Sequence, residues 1–144
     1  MAIDKERTIM RASRMLWAAV ALSACSAGAD LPTADKAVAR FHGMIDAGEF
    51  QQVYDQASTD LKASASSAKL IALLGAVHRK LGRSKGAVRQ SWNDQFNTGG
   101  HFLTVGYDTK YERGRATETF VFKVSEGAMQ LAGYNVNSDA LVLN

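Results

Sequence analysis

The sequence predicts an α+β domain: N-terminal helices packed on a curved four-stranded antiparallel sheet. Three observations predict it. Between Thr33 and Leu81 the apolar residues recur at helical spacing, and after Gly86 the period falls to two. Short turn signals such as "NTGG" (Asn97 to Gly100) separate the strand-like runs. Helices first and strands second is the order of an α+β fold, and short connections make the sheet a meander.

Thr33 is placed to cap a first helix, in which Ala34, Val38, Phe41 and Ile45 form one apolar stripe. Gly48 ends it, because glycine readily takes the left-handed C-terminal conformation. Phe50, Val53, Tyr54 and Ala57 mark a shorter second helix, and the polar segment Ala57 to Ser67 reads as a connection. A third helix spans Ser67 to Leu81, with Leu70, Leu74, Val77 and Leu81 on one face. Gly82 closes it behind Arg79 and Lys80, cations suited to the negative helix end.

In the first strand Val88, Gln90, Trp92, Asp94 and Phe96 alternate with Arg89, Ser91, Asn93 and Gln95. Leu103, Val105, Tyr107, Thr109 and Tyr111 share a face of the second, and Phe120, Phe122 and Val124 a face of the third. In the fourth, Met129 and Leu131 give way to Tyr134 and Val136, a phase change that predicts a bulge at Ala132-Gly133.

The N-terminus reads as a targeting segment. Arg11 and Arg14 precede the apolar run Met15 to Leu22, the order of an export signal whether translation starts at Met1 or Met10. A spanning helix needs about 20 apolar residues, and this run is much shorter. Leu22-Ser23-Ala24-Cys25 then resembles the lipobox of bacterial lipoproteins. That resemblance implies cleavage between Ala24 and Cys25 and a diacylglyceryl thioether on the Cys25 sulfur, for which a thiolate is the required nucleophile. Stable anchoring takes more than one acyl chain, at ~0.8 kcal/mol per buried methylene.

The implied divisions are residues 1–24 as signal peptide, 25–32 as lipidated tether and 33–144 as the domain. Ser26 stands where the retention rule for the inner membrane expects aspartate, which implies the periplasmic face of the outer membrane. The alternative is ordinary cleavage after Ala27-Gly28-Ala29, releasing a soluble periplasmic protein from Asp30. Cys25 is the single cysteine, so the folded domain has none left for a disulfide.

"FHGMIDAGEFQQVYDQAS", "LIALLGAVHRKLG", a strand opening near "VRQSW" and a late "GYNV" together resemble the bacterial domain of unknown function 4019 family. The likeness covers roughly Asp35 to Val136. It implies a cystatin-like or nuclear-transport-factor-like cone, in which a curved sheet wraps a helix, and it brings no catalytic residues. One departure is Asp55, near which the family pattern places a tryptophan.

Composition narrows the function classes. The chain is nominally +3, but residues 1–24 hold four of its 17 basic and two of its 14 acidic residues. The remaining 13 basic and 12 acidic residues give no phosphate-binding surface, so no nucleic-acid partner is expected. The cations Arg79, Lys80, Arg83, Lys85 and Arg89 read as a solvated helix end and loop, or as a contact for anionic headgroups. His42, His78 and His101 lack the paired spacing of metal ligands and read as surface or capping residues; no metal or other cofactor is expected. His42 and Asp46 share a helix face at i, i+4, an ordinary polar pair without a nucleophile beside it.

Two functional readings follow, with a third behind them. The first is a lipid-anchored, non-enzymatic binding or interaction module with an envelope protein as possible partner. The second is a small-molecule-binding or isomerase-type enzyme using a cavity in the cone, lined by Trp92, Phe96, Tyr107, Phe120 and Tyr134. There Asp94 would act as base and Tyr107 or Tyr134 as proton donor. The same rings are needed as plain core in a domain this small. The third is an inhibitor or adaptor that accepts a strand at a sheet edge.

Overall fold

Proline is tolerated in the first turn of a helix, where its missing N–H would be unpaired anyway. Helix α1 (Leu31–Asp46) accordingly starts at Leu31 with Pro32 in its first turn and Asp30 at the cap, three residues before the expected cap Thr33. The computed structural model describes residues 28–143; the expected signal segment, Ala24 and Cys25 lie outside the described residues.

Helix α1 buries Ala34, Val38, Phe41, His42 and Ile45. It ends as expected at Gly48, whose φ is +75°. The Glu49 N–H donates to the Met44 carbonyl and the Gly48 N–H to the Ile45 carbonyl, so the last helical carbonyls are satisfied. Helix α2 (Phe50–Asp55) follows.

The segment Ala57 to Ser67, expected as a plain connection, contains a further helix, α3 (Thr59–Ser64). Ser58 caps it by accepting from the Leu61 N–H at 3.3 Å, and Asp60 lies in its first turn. With Leu61 as its one buried residue it has no apolar stripe, which is why periodicity passes over it. Helix α4 (Ser67–Leu81) is capped by Ser66 and closed by Gly82 at φ +79°, as its pattern predicts.

The sheet consists of β1 (Ser84–Asn97), β2 (Gly100–Tyr111), β3 (Gly114–Ser125) and β4 (Ala128–Asn137), in the order β1-β2-β3-β4 with every pair antiparallel. Strands β1 and β4 are its edges. A short helix, α5 (Asp139–Leu143), ends the described chain. Helices followed by an antiparallel four-stranded sheet make this the α+β fold that the hydrophobic pattern predicts.

The bulge expected at Ala132-Gly133 is present: Val121 pairs with Gly133 and Phe122 with Leu131, leaving Ala132 over. Strand β1 has a bulge that the alternation did not predict. Arg89 pairs with Tyr107 and Ser91 with Gly106, so Gln90 is the extra residue. A one-residue slip moves every later side chain to the other face. Val88 therefore does not share the face of Trp92, Asp94 and Phe96; it points outward and is 64% exposed.

The helices cover one face of the sheet. Leu70 and Leu74 join Phe41, Leu103, Val105, Tyr107, Phe120 and Phe122 in a main core, while Val77 and Leu81 join Tyr111 and Ala116 in a smaller one. Phe41 meets Phe120 edge-on at 5.0 Å, locking α1 to the middle of the sheet.

Two substitutions check this architecture by urea unfolding. Gly48→Ala puts a side chain at positive φ and is expected to cost about 1 kcal/mol, whereas Phe120→Ala removes the ring that joins helix to sheet and is expected to cost about 3–5 kcal/mol. Two equally small losses would contradict it.

Candidate functional site

A carboxylate taken out of water is costly unless every oxygen is hydrogen-bonded. Glu118 sits between Ala116 and Phe120 on the helix-facing side of β3 and has no exposed surface. Four side chains converge on it. Oε2 accepts from the Thr109 hydroxyl at 2.5 Å and lies 2.8 Å from His42 Nε2. Oε1 accepts from the Tyr111 hydroxyl at 2.7 Å and the Tyr134 hydroxyl at 2.6 Å. An ionised carboxylate only accepts, so His42 Nε2 carries the proton in this pair.

Each partner is delivered by regular structure. Thr109 and Tyr111 alternate along the helix-facing side of β2, and Tyr134 follows the β4 bulge. His42 sits next to Phe41 on the buried stripe of α1. Aromatic edges close the surroundings, with His42 at 6.0 Å from the Tyr111 ring and 6.1 Å from the Phe120 ring. The carboxylate thus forms a polar layer between the two apolar clusters.

The electrostatics follow from this shell. Burial alone would raise the Glu118 pKa, but the hydrogen bond and charge of His42, helped by Thr109 and Tyr134, hold it below the ordinary value. Tyr111 and Tyr134 move the other way: burial, then the Glu118 charge, pushes both phenols well above their ordinary range.

The network backs onto a groove. Between α1 and β1 lies an open cleft of about 760 Å³, with His42 in its wall, Val38, Ala39 and Ala87 along it, and Asp35 and Asp46 toward its ends. Asp35 accepts from the Tyr107 hydroxyl at 2.5 Å and from Arg89 at 3.2 Å. Asp46 accepts from the Ser84 N–H at 3.2 Å and the Ser84 hydroxyl at 3.0 Å. Burial, then Asp35, raises the Tyr107 pKa.

Of the rings singled out from sequence, Tyr107, Phe120 and Tyr134 meet, with Phe120 5.9 Å from Tyr107 and 5.2 Å from Tyr134. Tyr107 and Phe120 are buried in the main core and Tyr134 belongs to the Glu118 shell, whereas Trp92 and Phe96 are 44% and 71% exposed and stand apart from them. The register puts both on the helix-facing side, but the helices do not extend over that end. Asp94 meets neither tyrosine; it lies 2.5 Å from His101 Nε2. His42, read as a surface or capping residue, is instead buried, and it pairs with Glu118 rather than with Asp46. Glu118 itself was not among the expected residues. Its signal was present in the alternation, since it falls two positions before Phe120 on the face that continues through Phe122.

Among the described residues no cluster of three or more His, Cys, Asp or Glu is arranged to hold a metal ion, and no helix is long and apolar enough to cross a membrane.

The shell predicts how stability responds to mutation and pH. Glu118→Ala strands three hydroxyls and an imidazole in the core and is expected to cost about 3–5 kcal/mol. A lowered carboxyl pKa stabilises fully above the unfolded value of 4.5 and is lost as pH falls through the folded value. Raised tyrosine pKa values stabilise below 10.0 and are lost as pH climbs past it. Unfolding free energy measured against pH should therefore show a plateau with both limbs, and Glu118→Gln should flatten the acid limb. An unchanged acid limb would count against the shell.

A family model described as a protein of unknown function (DUF4019) matches residues 37–134, a stretch that contains His42, Thr109, Tyr111, Glu118 and Tyr134. A comparison with curated proteins finds no match. The chain belongs to the DUF4019 family of proteins of unknown function.

Proposed function

We propose that the protein is a lipid-anchored component of the cell envelope, held through Cys25, and that it binds a small amphipathic molecule in the α1–β1 groove without transforming it. One observation carries the binding reading: both carboxylates that line the groove, Asp35 and Asp46, are already hydrogen-bonded by the protein's own donors, and the carboxylate behind its wall, Glu118, is fully enclosed. Glu118, the strongest candidate for acid–base work, has two donors on each oxygen and no exposed surface, and its lowered pKa makes it a poor base. The groove is instead a pre-organised surface, apolar along its length and polar at its ends, within the size range of small-molecule sites.

Anchoring rests on the sequence register of basic run, apolar run and Leu22-Ser23-Ala24-Cys25. The outer membrane is the favoured address because Ser26 follows the cysteine. The isomerase-type reading loses support from geometry, since Asp94 is bound to His101 and each tyrosine proposed as donor is bound to another carboxylate.

Both parts are testable. Intact mass of protein extracted from membranes should show a chain starting at Cys25 with added acyl mass, and Cys25→Ser should remain an uncleaved precursor. A soluble chain starting at Asp30 would overturn the anchor. For the groove, a fragment library screened by amide NMR should shift resonances of Ala39, Gly43 and Ala87. Ala39→Trp should abolish those shifts while changing stability by no more than about 0.5 kcal/mol, since Ala39 is exposed. Shifts that survive the substitution would place the ligand elsewhere.

A further inference from the structure

We infer that the end of the sheet bearing Trp92 and Phe96 is a membrane-contacting face that rests in the interfacial layer of a lipid bilayer; this rests on the anchor reading given above. Strand β1 runs past the start of α1. Trp92 and Phe96 therefore project on the helix-facing side, opposite Val105 and His101, yet remain 44% and 71% exposed. The exposed rings are not scattered. Phe96 stacks on the His101 ring with centroids 4.0 Å apart.

The described chain begins at the same place. A Cβ placed on Gly28 would lie 3.7 Å from Trp92 Cη2. Asp30 Oδ2 lies 4.0 Å from His101 Nε2, which itself is 2.5 Å from Asp94. The polypeptide thus enters the domain beside the two exposed rings.

Chain length selects the occupant. Cys25 precedes Gly28 by three residues, so fully extended backbone between them spans about 10 Å. A bilayer of about 40–45 Å with a hydrocarbon core of about 30 Å has a headgroup layer of roughly 5–8 Å on each side. A tether that short keeps Trp92 within about 10–15 Å of the seated lipid, close enough for the ring to reach the headgroup layer. The side chains present suit that layer. Tryptophan is enriched at membrane interfaces, where its ring is apolar and its N–H can stay wet. The turn at Asn97 to Gly100 carries no charge. Lys123 at the same end is already paired with Asp60 at 2.9 Å, so the rings rather than a free cation suit this end to the layer.

The basic run points elsewhere. Lys85 is seven residues before Trp92 on β1, about 20 Å away along the strand. The contact face is therefore close to the anchor and carries Trp92 and Phe96 on either side of Asp94, whose carboxylate is paired with His101, and Arg79 to Lys85 lie at the far end from it.

The mature lipoprotein offers a clean probe, because the chain has two tryptophans and Trp17 precedes the cleavage point. Protein extracted with its lipid is reconstituted into phosphatidylethanolamine–phosphatidylglycerol vesicles with or without brominated acyl chains. Trp92 emission should be quenched severalfold by the brominated chains and should resist acrylamide. Phe96→Ser should weaken the lipid quenching, whereas Val142→Ser, at the opposite end, should leave it unchanged. Intact mass separates the two ways of failing. A lipidated protein whose Trp92 ignores brominated lipid and stays open to acrylamide overturns the membrane face alone. A protein of unmodified mass overturns the anchor and the face with it.

Discussion

A carboxylate with no exposed surface constrains everything packed around it. Glu118 needs donors from four directions, and they come from α1, from two positions on β2 and from β4. Apolar contacts alone would let α1 slide on the sheet at little cost, since they lack direction. Hydrogen bonds to a charged group are directional, and leaving one unmade in a dry interior is expensive. The depth of His42 along α1 is thereby tied to the register of β2 against β3. The two apolar clusters supply most of the burial, and the layer between them fixes which helix position meets which strand position.

That fixed depth shapes the groove. His42 is at once a partner of Glu118 and part of the cleft wall, so the surface offered to a ligand is backed by the most tightly bonded group in the domain. The ends of the cleft are held in a similar way, Asp35 to Tyr107 and Arg89, Asp46 to Ser84. A cleft held at its wall and both ends would surrender little conformational entropy to a ligand of the kind proposed. Of the carboxylates around the cleft, only Glu118 has two donors on each oxygen and no exposed surface.

Much of this was legible in the sequence, for reasons that individual residues make plain. Helix α4 announces itself through Leu70, Leu74, Val77 and Leu81 between a serine cap and Gly82, so pattern and punctuation agree. Strands β2 and β3 alternate without interruption and their faces read correctly. Strand β1 was misread because the bulge at Gln90 inverts the phase halfway along, and no glycine or proline marks it. Helix α3 escaped because six residues with a single buried leucine carry no period. The Glu118 shell escaped for a different reason. A glutamate on a strand face and a histidine on a helix are each ordinary alone, and only tertiary packing brings Glu118 and His42 together across 76 positions of sequence. The cue was a charge sitting in the phase of a core face, with Ala116 before it and Phe120 after it.

The central claim is that Glu118 is buried as an ion and kept so by its four donors. Carboxyl-carbon NMR of glutamate-labelled protein, followed through an acid titration, reads that state at a single atom. The Glu118 resonance should hold its ionised shift down through pH 4.5, where an ordinary glutamate is half protonated, and change only below it. A midpoint above 4.5, or a shift typical of the protonated acid at neutral pH, would mean that burial outweighs the shell and that the account of what holds helix to sheet is mistaken.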